Sequence, residues 1–229
     1  MNKAALILIF LLSSVSLYAR EDKCASWTRL QQLFSQDPEF KRQFDELERE
    51  RKEAVLAMQG QRSQSGTVYT IPVVVHIVHN TSFPEQNISD AQVQTQIAVL
   101  NKDFRLLNSD KLASSHPFAG LAGDAEIEFC LATKDPSNNP TTGIVRKTTT
   151  VDGFSDNDRV KSSTTGGDDP WDPAQYLNIW VCKMRGGTLG YSSFPGGPAS
   201  VDGVVIAYDV FGTIGLLDPV YNKGRTTTH

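Results

Sequence analysis

The chain of 229 residues has few cysteines and almost no excess charge of either sign. Only Cys24, Cys130 and Cys182 are present. Three are too few for the disulfide framework of a small exported domain, and an odd number leaves at least one thiol unbridged within the chain. The formal net charge of −4 gives no basic surface for nucleic acid and no polybasic patch for a membrane. We therefore expect no nucleic-acid partner.

Long apolar runs are also absent, apart from one at the N-terminus. Lys3 is followed by an uninterrupted apolar run over residues 4–12, and Ala19 offers a small residue at a cleavage position. This layout is typical of a secretory signal peptide, predicted over residues 1–19. An uncleaved anchor is the alternative, although the run is shorter than the roughly 20 residues of a membrane span. We expect a secreted, extracellular protein with no membrane contact beyond the signal peptide.

Residues 20–66 predict a helical segment that ends in a linker. Asp37 before Pro38 is a helix-start signal, because aspartate caps free amides and proline fits the first turn. The apolar residues after it recur at helical spacing and form one thin stripe: Phe40, Phe44, Leu47, Val55 and Met58. Such a helix cannot form its own core and must pack against another part of the protein. Residues 60–66 predict a flexible, protease-accessible linker.

Residues 67–229 predict one α/β (α+β) unit. Strands are predicted at residues 68–78, 126–133, 143–150, 176–184, 189–194 and 204–208. The first is apolar on both faces, as in a mainly parallel sheet that is covered on both sides. Residues 89–92 form a capping box that opens a helix, whose buried stripe is predicted to be Val93, Ile97, Leu100, Phe104 and Leu107. Glycine and proline around residues 189–194 favour an edge strand.

The histidines differ in what their positions predict. His76 and His79 are three residues apart in a predicted strand, so their side chains point to opposite faces and cannot share a metal ion. We interpret both as core or rim residues, and His116 lies in a loop with no candidate ligand near it in sequence. His229 ends a stretch that predicts the first turns of a helix, with Asn222 as a candidate cap.

Several short segments, taken together and in order, resemble the pappalysin family of metzincin metallopeptidases. The closest matches are Tyr-Leu-Asn-Ile-Trp-Val-Cys at residues 176–182, Leu-Gly-Tyr-Ser-Ser-Phe-Pro-Gly at residues 189–196 and Asp-Gly-Val-Val-Ile at residues 202–206. Further matches lie at residues 71–79, 88–93, 101–104, 127–132 and 224–229. The resemblance covers residues 68–229, and in that family the last segment runs directly into the long zinc motif.

The resemblance implies a fold and an activity. The fold is a metzincin-like upper subdomain: a twisted, five-stranded, mostly parallel sheet with one antiparallel edge strand and two packing helices. The activity is that of a secreted, zymogen-type zinc endopeptidase that cleaves protein or peptide substrates with metal-activated water. His229 would be the first zinc ligand, and the glutamate base, two further ligands and a C-terminal subdomain are missing here. We therefore expect no catalytic residues in this chain and an inactive fragment.

The resemblance also implies roles for residues outside the zinc motif. Substrates of similar enzymes lie along the antiparallel edge strand, which makes Gly190 and Tyr191 candidate backbone contacts. The alternative is a short capped edge strand with no binding role. Cys24 is a candidate latency thiol, because a thiolate could occupy the zinc position that water needs. An incidental thiol and a lipid-attachment cysteine are the alternatives for Cys24. The rival to the peptidase is a non-catalytic exported α/β module that binds extended peptides at its sheet edge.

Two features have ordinary structural interpretations. Cys130 and Cys182 fall in predicted strands and are expected to be buried free thiols, with a bridge as the alternative. The acidic stretches at residues 152–158 and 168–172 could hold calcium, but they lack a regular ligand spacing, so turn chemistry explains them better.

Overall fold

A computed structural model describes residues 23–58 and 66–229 of the chain. The predicted signal peptide and most of the predicted linker lie outside the described residues. The helices are α1 (Ser26–Gln36), α2 (Pro38–Met58), α3 (Asp90–Phe104) and α4 (Arg225–Thr228). The strands are β1 (Tyr69–Asn80), β2 (Ile127–Leu131), β3 (Ile144–Thr149), β4 (Leu177–Cys182), β5 (Gly190–Ser192) and β6 (Val204–Ala207). No helix in this part of the chain combines the length and apolar character that a membrane span requires.

The six strands form one mostly parallel sheet in the order β2-β1-β4-β6-β5. Strand β5 pairs antiparallel with β6 at one edge, which confirms the predicted α/β fold with a single antiparallel edge strand. The sixth strand is β3, which pairs with the second half of β1 while β2 pairs with the first half. The sheet is therefore five strands wide, as expected. Its six strands fit this width because β2 and β3 lie end to end beside β1.

Both faces of the sheet are covered, as the apolar sequence of β1 predicts. On one face, Val73, Val75 and Ile77 pack with the buried residues of α3. On the other face, Val78 and Trp180 pack with the connection between β3 and β4, which supplies Phe154. The sheet is thus the rigid element from which the loops and the edge strand are positioned.

Helix α3 begins as the capping box predicts but ends earlier than expected. The Ser89 hydroxyl accepts a hydrogen bond from the Gln92 amide at 3.1 Å. Leu106 has a positive φ of 52°, which terminates the helix just after Phe104. Leu107 therefore leaves the buried stripe and is 68% exposed, so its predicted burial is wrong.

The helical segment before the linker consists of two helices that meet at Asp37. As predicted, the Asp37 carboxylate caps α2, accepting a hydrogen bond from the Phe40 amide at 3.0 Å. Phe40 and Phe44 pack against Phe34 of α1, and Phe44 also contacts Phe194 beyond β5. Two further residues of the predicted stripe, Leu47 and Val55, are exposed, so their predicted burial is wrong. Only the first turns of α2 reach the sheet domain.

Candidate metal and peptide-binding site

Strand β5 does not present a free edge in this chain. The Leu189 amide donates a hydrogen bond to the Lys23 carbonyl at 2.9 Å, and the Ala25 amide donates one to the Gly190 carbonyl at 3.1 Å. These bonds place Cys24 opposite Gly190 in a parallel bridge. The extended residues before α1 therefore add to the sheet beyond its antiparallel edge, where the sequence predicts a peptide would bind.

Ser26 extends this contact by one step along the edge strand. Its hydroxyl accepts a hydrogen bond from the Ser192 amide at 2.9 Å and lies 3.2 Å from the Ser192 hydroxyl. The same hydroxyl lies 3.5 Å from the half-buried Cys24 thiol. The segment is thus fixed on both sides of Cys24 by polar contacts to β5.

His229 comes directly after the short helix α4, which is anchored on α3. The Arg225 guanidinium pairs with Asp103 at 3.0 Å and with Asp110 at 2.6 Å. The Thr228 hydroxyl donates a hydrogen bond to Asp103 Oδ2 at 2.7 Å. The predicted cap is wrong, because Gly224, with a left-handed φ of 68°, and not Asn222, stands at the N-cap position.

A cavity of about 610 Å³ is lined by residues from near both ends of the described chain. Cys24 and His229 both line it, together with Gly190 and Tyr191. Its remaining wall is largely apolar and includes Ile71, Leu100, Phe104, Phe129, Ile179 and Ile206. The fold therefore brings all four of the residues that the sequence singles out to one cavity, although they are up to 205 positions apart in the numbering of the chain.

Two side chains on this cavity are of chemical types that can bind zinc. Thiolate sulfur and imidazole nitrogen are both favourable zinc ligands, and Cys24 and His229 supply one of each. Among residues 23–58 and 66–229, however, there is no group of three or more histidine, cysteine, aspartate or glutamate side chains placed to hold a metal. The described residues therefore hold no complete ligand set for a metal ion.

The Tyr191 side chain makes contacts that the sequence does not reveal. Its side chain is 2% exposed, and its hydroxyl accepts a hydrogen bond from the Asp158 amide at 3.2 Å. Burial and the nearby Asp158 charge raise the pKa of Tyr191. Lys161 is buried beside it, paired with Asp158 at 2.9 Å, and burial lowers the pKa of this lysine. Asp158 ends an acidic stretch whose sequence is explained by turn chemistry, and Lys161 follows it in the same irregular connection with no signal of its own.

The interpretation of His76 as a core residue is confirmed. Its ring is fully buried, with Nδ1 2.8 Å from Asp168 Oδ2 and Nε2 3.0 Å from Asn178 Oδ1. The ring also stacks on Trp180 at 5.1 Å between centroids. His79 is buried as well, and burial followed by the Arg146 charge lowers its pKa.

The other two cysteines and the acidic stretches lie outside the cavity. Cys130 and Cys182 are free, so they are not bridged to each other. Cys182 is buried, and burial raises the pKa of its thiol. Cys130 is exposed, which makes its predicted burial wrong: it lies on the uncovered side of β2. Among the acidic residues, Asp168 contacts His76, and Asp169 accepts hydrogen bonds from Ser163.

Comparison with solved structures identifies chains of similar sequence and fold. Mature mirolysin from Tannerella forsythia, in complex with a cleaved peptide, is 49% identical over 72% of this chain, with a TM-score of 0.68. Mirolysin in complex with a compound gives 49% identity and a TM-score of 0.67. A promirolysin mutant from the same organism is 41% identical over 91% of this chain, with a TM-score of 0.73. These likenesses support a metzincin-type metallopeptidase family.

The chain spans only part of each of these relatives. It covers 62% of the two mirolysin chains and 66% of the promirolysin chain. No protein-family model matches the chain, and no curated protein does. The likeness to mirolysin therefore supports the fold and the broad class of protein.

Proposed function

We propose that this chain is the pro-segment and the N-terminal catalytic subdomain of an exported zinc endopeptidase of the pappalysin type. The observation that carries the proposal is the cavity shared by Cys24 and His229, with the Cys24 segment lying along β5. The similarity to mirolysin, and the larger share of this chain that matches promirolysin, support a zymogen. In this proposal residues 1–19 are the signal peptide, residues 20–66 the pro-segment and linker, and residues 67–229 the subdomain.

His229 is the first zinc ligand in this proposal, and α4 fixes its position. When bound, zinc polarises the scissile carbonyl and lowers the pKa of a water molecule. One imidazole from this chain cannot hold the metal in the three-ligand catalytic arrangement. The proposal therefore requires further zinc ligands, a glutamate base and a lower wall of the cleft, which a C-terminal subdomain would supply. Calcium has no comparable support in the described residues.

Peptide substrates bind to β5 by strand addition. The Leu189 amide and the Gly190 carbonyl, which now bond to the Cys24 segment, are the groups that a substrate backbone would use. Gly190 and Tyr191 are the candidate backbone contacts for this substrate. Because the Cys24 segment occupies the same groups and brings a thiol to the metal side of the cavity, it excludes substrate and keeps the protein latent.

A non-catalytic peptide-binding module is the second candidate function. It is favoured by the same pairing, because the Cys24 segment lies along the edge strand with main-chain hydrogen bonds to Leu189 and Gly190. A module of this kind would bind peptides with no metal and would not depend on His229.

The two functions are separated by zinc dependence. The experiment uses the protein expressed from its whole reading frame, with any codons beyond His229 included and the linker cleaved. The peptidase proposal predicts hydrolysis that a chelator abolishes and zinc restores, and it predicts that His229→Ala loses both activity and tightly bound zinc. His116→Ala, in an exposed loop, serves as the matched control. Peptide binding without hydrolysis, unchanged in His229→Ala, would support the binding module instead.

A further inference from the structure

Asp103 stands in a position where a carboxylate is unfavourable for its own helix. It lies in the last turn of α3, where the negative end of the helix dipole opposes an acidic side chain. The side chain is only 7% exposed. Its Oδ1 atom is buried and has no hydrogen-bond donor among the residues that the structure describes. A buried oxygen without a donor costs free energy, so the stability of α3 does not explain this residue.

The other oxygen of Asp103 holds α4 at two points. Oδ2 accepts a hydrogen bond from the Thr228 hydroxyl at 2.7 Å and lies 3.0 Å from Arg225 Nε. Residues three apart in a helix lie on the same face, so the two contacts fix one side of α4. The His229 amide donates to the Arg225 carbonyl at 3.0 Å, which makes His229 part of the same turn. Asp103 therefore holds the turn to which the imidazole is attached.

Gln96 fixes the start of α4 from the same side of α3. Its side chain is fully buried, with Nε2 donating to the Gly224 carbonyl at 2.9 Å and Oε1 accepting from the Gly212 amide at 2.7 Å. Gly224 is the N-cap of α4. Gln96 and Asp103 are about two helical turns apart in α3, so they lie along one face of it. Together they connect a long helix to both ends of a short one.

Helix α4 needs this support. It has only four residues, and a helix this short is not stable on its own. Residues 211–224, which precede it and which the structure describes in full, contain no helix or strand. A metal ligand must stand within about 0.2 Å of its required distance. A turn held by the preceding loop alone would not place His229 with that precision.

We propose that Asp103 is a positioning residue for His229: with Gln96 it fixes α4 on α3, and it thereby sets where the imidazole is presented to the metal. The inference rests on the proposed function, because it takes His229 as a zinc ligand. The fixation of α4 is a property of the metal-free protein, and it can be measured without zinc and without hydrolysis.

The first experiment measures hydrogen exchange of the His229 amide in the metal-free protein, expressed from its whole reading frame. Two isosteric changes at adjacent residues are compared. Thr228→Val removes the hydroxyl that donates to Asp103, whereas Thr227→Val removes a buried hydroxyl with no partner among the described residues. We expect exchange about 10-fold faster than wild type in Thr228→Val and unchanged in Thr227→Val. Equal exchange rates in the two variants would overturn the proposal.

The second experiment tests whether the effect reaches the metal site. Zinc affinity is measured by competition with a chelator, after linker cleavage and removal of the pro-segment, in Asp103→Ala and in Asn101→Ala. Asn101 is the matched control, because it lies in the same turn of α3 but bonds to the Phe129 backbone of β2. Both variants lose polar contacts of α3, and only Asp103→Ala releases α4. We expect zinc affinity about 10-fold weaker in Asp103→Ala and unchanged in Asn101→Ala.

Cobalt in place of zinc gives a readout that a loss of stability alone does not change. The visible absorption bands of bound cobalt report the arrangement of its ligands. These bands should change in Asp103→Ala and in Thr228→Val, and keep the wild-type form in Asn101→Ala. Thr228→Val, which removes no charge, decides the question if Asp103→Ala does not fold.

The outcomes separate this inference from the proposed function. Wild-type zinc affinity and wild-type cobalt bands in Thr228→Val, and in Asp103→Ala where it folds, would overturn the positioning role. If the wild-type protein binds no zinc at all, the peptidase proposal fails. The exchange rate of the His229 amide then still decides whether Asp103 fixes α4.

Discussion

His76 illustrates how a buried histidine can have protein partners, and not a metal ion, at both ring nitrogens. Both ring nitrogens have polar partners, Asp168 and Asn178, and the ring is stacked on Trp180. Replacing the ring by a methyl group leaves a cavity and two polar groups without their partner.

We therefore predict that His76→Ala lowers the free energy of unfolding by about 3 kcal/mol. His116→Ala, at an exposed position, should change it by no more than about 0.5 kcal/mol. Urea denaturation of the two variants measures the difference. A His76→Ala protein of wild-type stability with reduced zinc content would instead make His76 a ligand.

Asp110 makes the attachment of α4 sensitive to acid. Hydrogen bonds from Asn108 and from Arg225 lower the pKa of Asp110 to about 2, from an ordinary value of 3.8. Because the pKa is lower in the folded protein, the ionised carboxylate stabilises the fold. This contribution is complete above about pH 4 and is lost as the pH falls toward 2.

The prediction is a carboxyl titration of Asp110, monitored by NMR, with a midpoint near pH 2. In Arg225→Gln the midpoint should rise only part of the way to 3.8, because the bond from Asn108 remains. A midpoint at the ordinary value in the wild-type protein would show that α4 is not held by this pair.

At the scale of elements, the pairing of the short edge strand β5 with β6 requires a residue without a side chain at position 190. A Cβ atom added at Gly190 would lie 2.5 Å from the Val205 carbonyl oxygen and 2.8 Å from Ile206 Cδ1. These atoms belong to β6, so β5 would have to move away from its partner. The hydrogen bonds of β5 to the Cys24 segment would move with it.

We predict that Gly190→Ala lowers the free energy of unfolding by about 1–3 kcal/mol and speeds hydrogen exchange of the Ala25 amide. Gly123→Ala is the matched control, since a Cβ there meets nothing within 4 Å. That variant should be as stable as the wild type or slightly more stable. Equal exchange of the Ala25 amide in both variants would mean that the Cys24 segment is not held by β5.

The elements themselves could largely be predicted from the sequence. The apolar run of β1, the capping box at Ser89 and the glycine and proline around β5 are local signals that act within a few residues. The end of α3 could not be predicted, because Leu107 continues the apolar spacing and only the backbone at Leu106 shows that the helix has ended. The predicted burial of Cys130 is wrong for a similar reason, because a strand near the edge of a sheet has one less covered side than its apolar sequence suggests.

At the scale of the whole molecule, the candidate site depends on contacts between distant residues. Cys24 and His229 stand near opposite ends of the sequence, and only the sheet topology places both on one cavity. The resemblance to a known family predicted a shared role for Cys24 and His229, whereas periodicity and composition did not.

The central claim is that Cys24 and His229 meet at one metal ion in the latent protein. The most direct test is the absorption spectrum of the protein expressed from its whole reading frame, with its linker uncleaved and cobalt in place of zinc. A thiolate-to-cobalt charge-transfer band should appear in the wild type, disappear in Cys24→Ser and persist in Cys130→Ser. Absence of the band from the wild type, or its persistence in Cys24→Ser, would contradict the account.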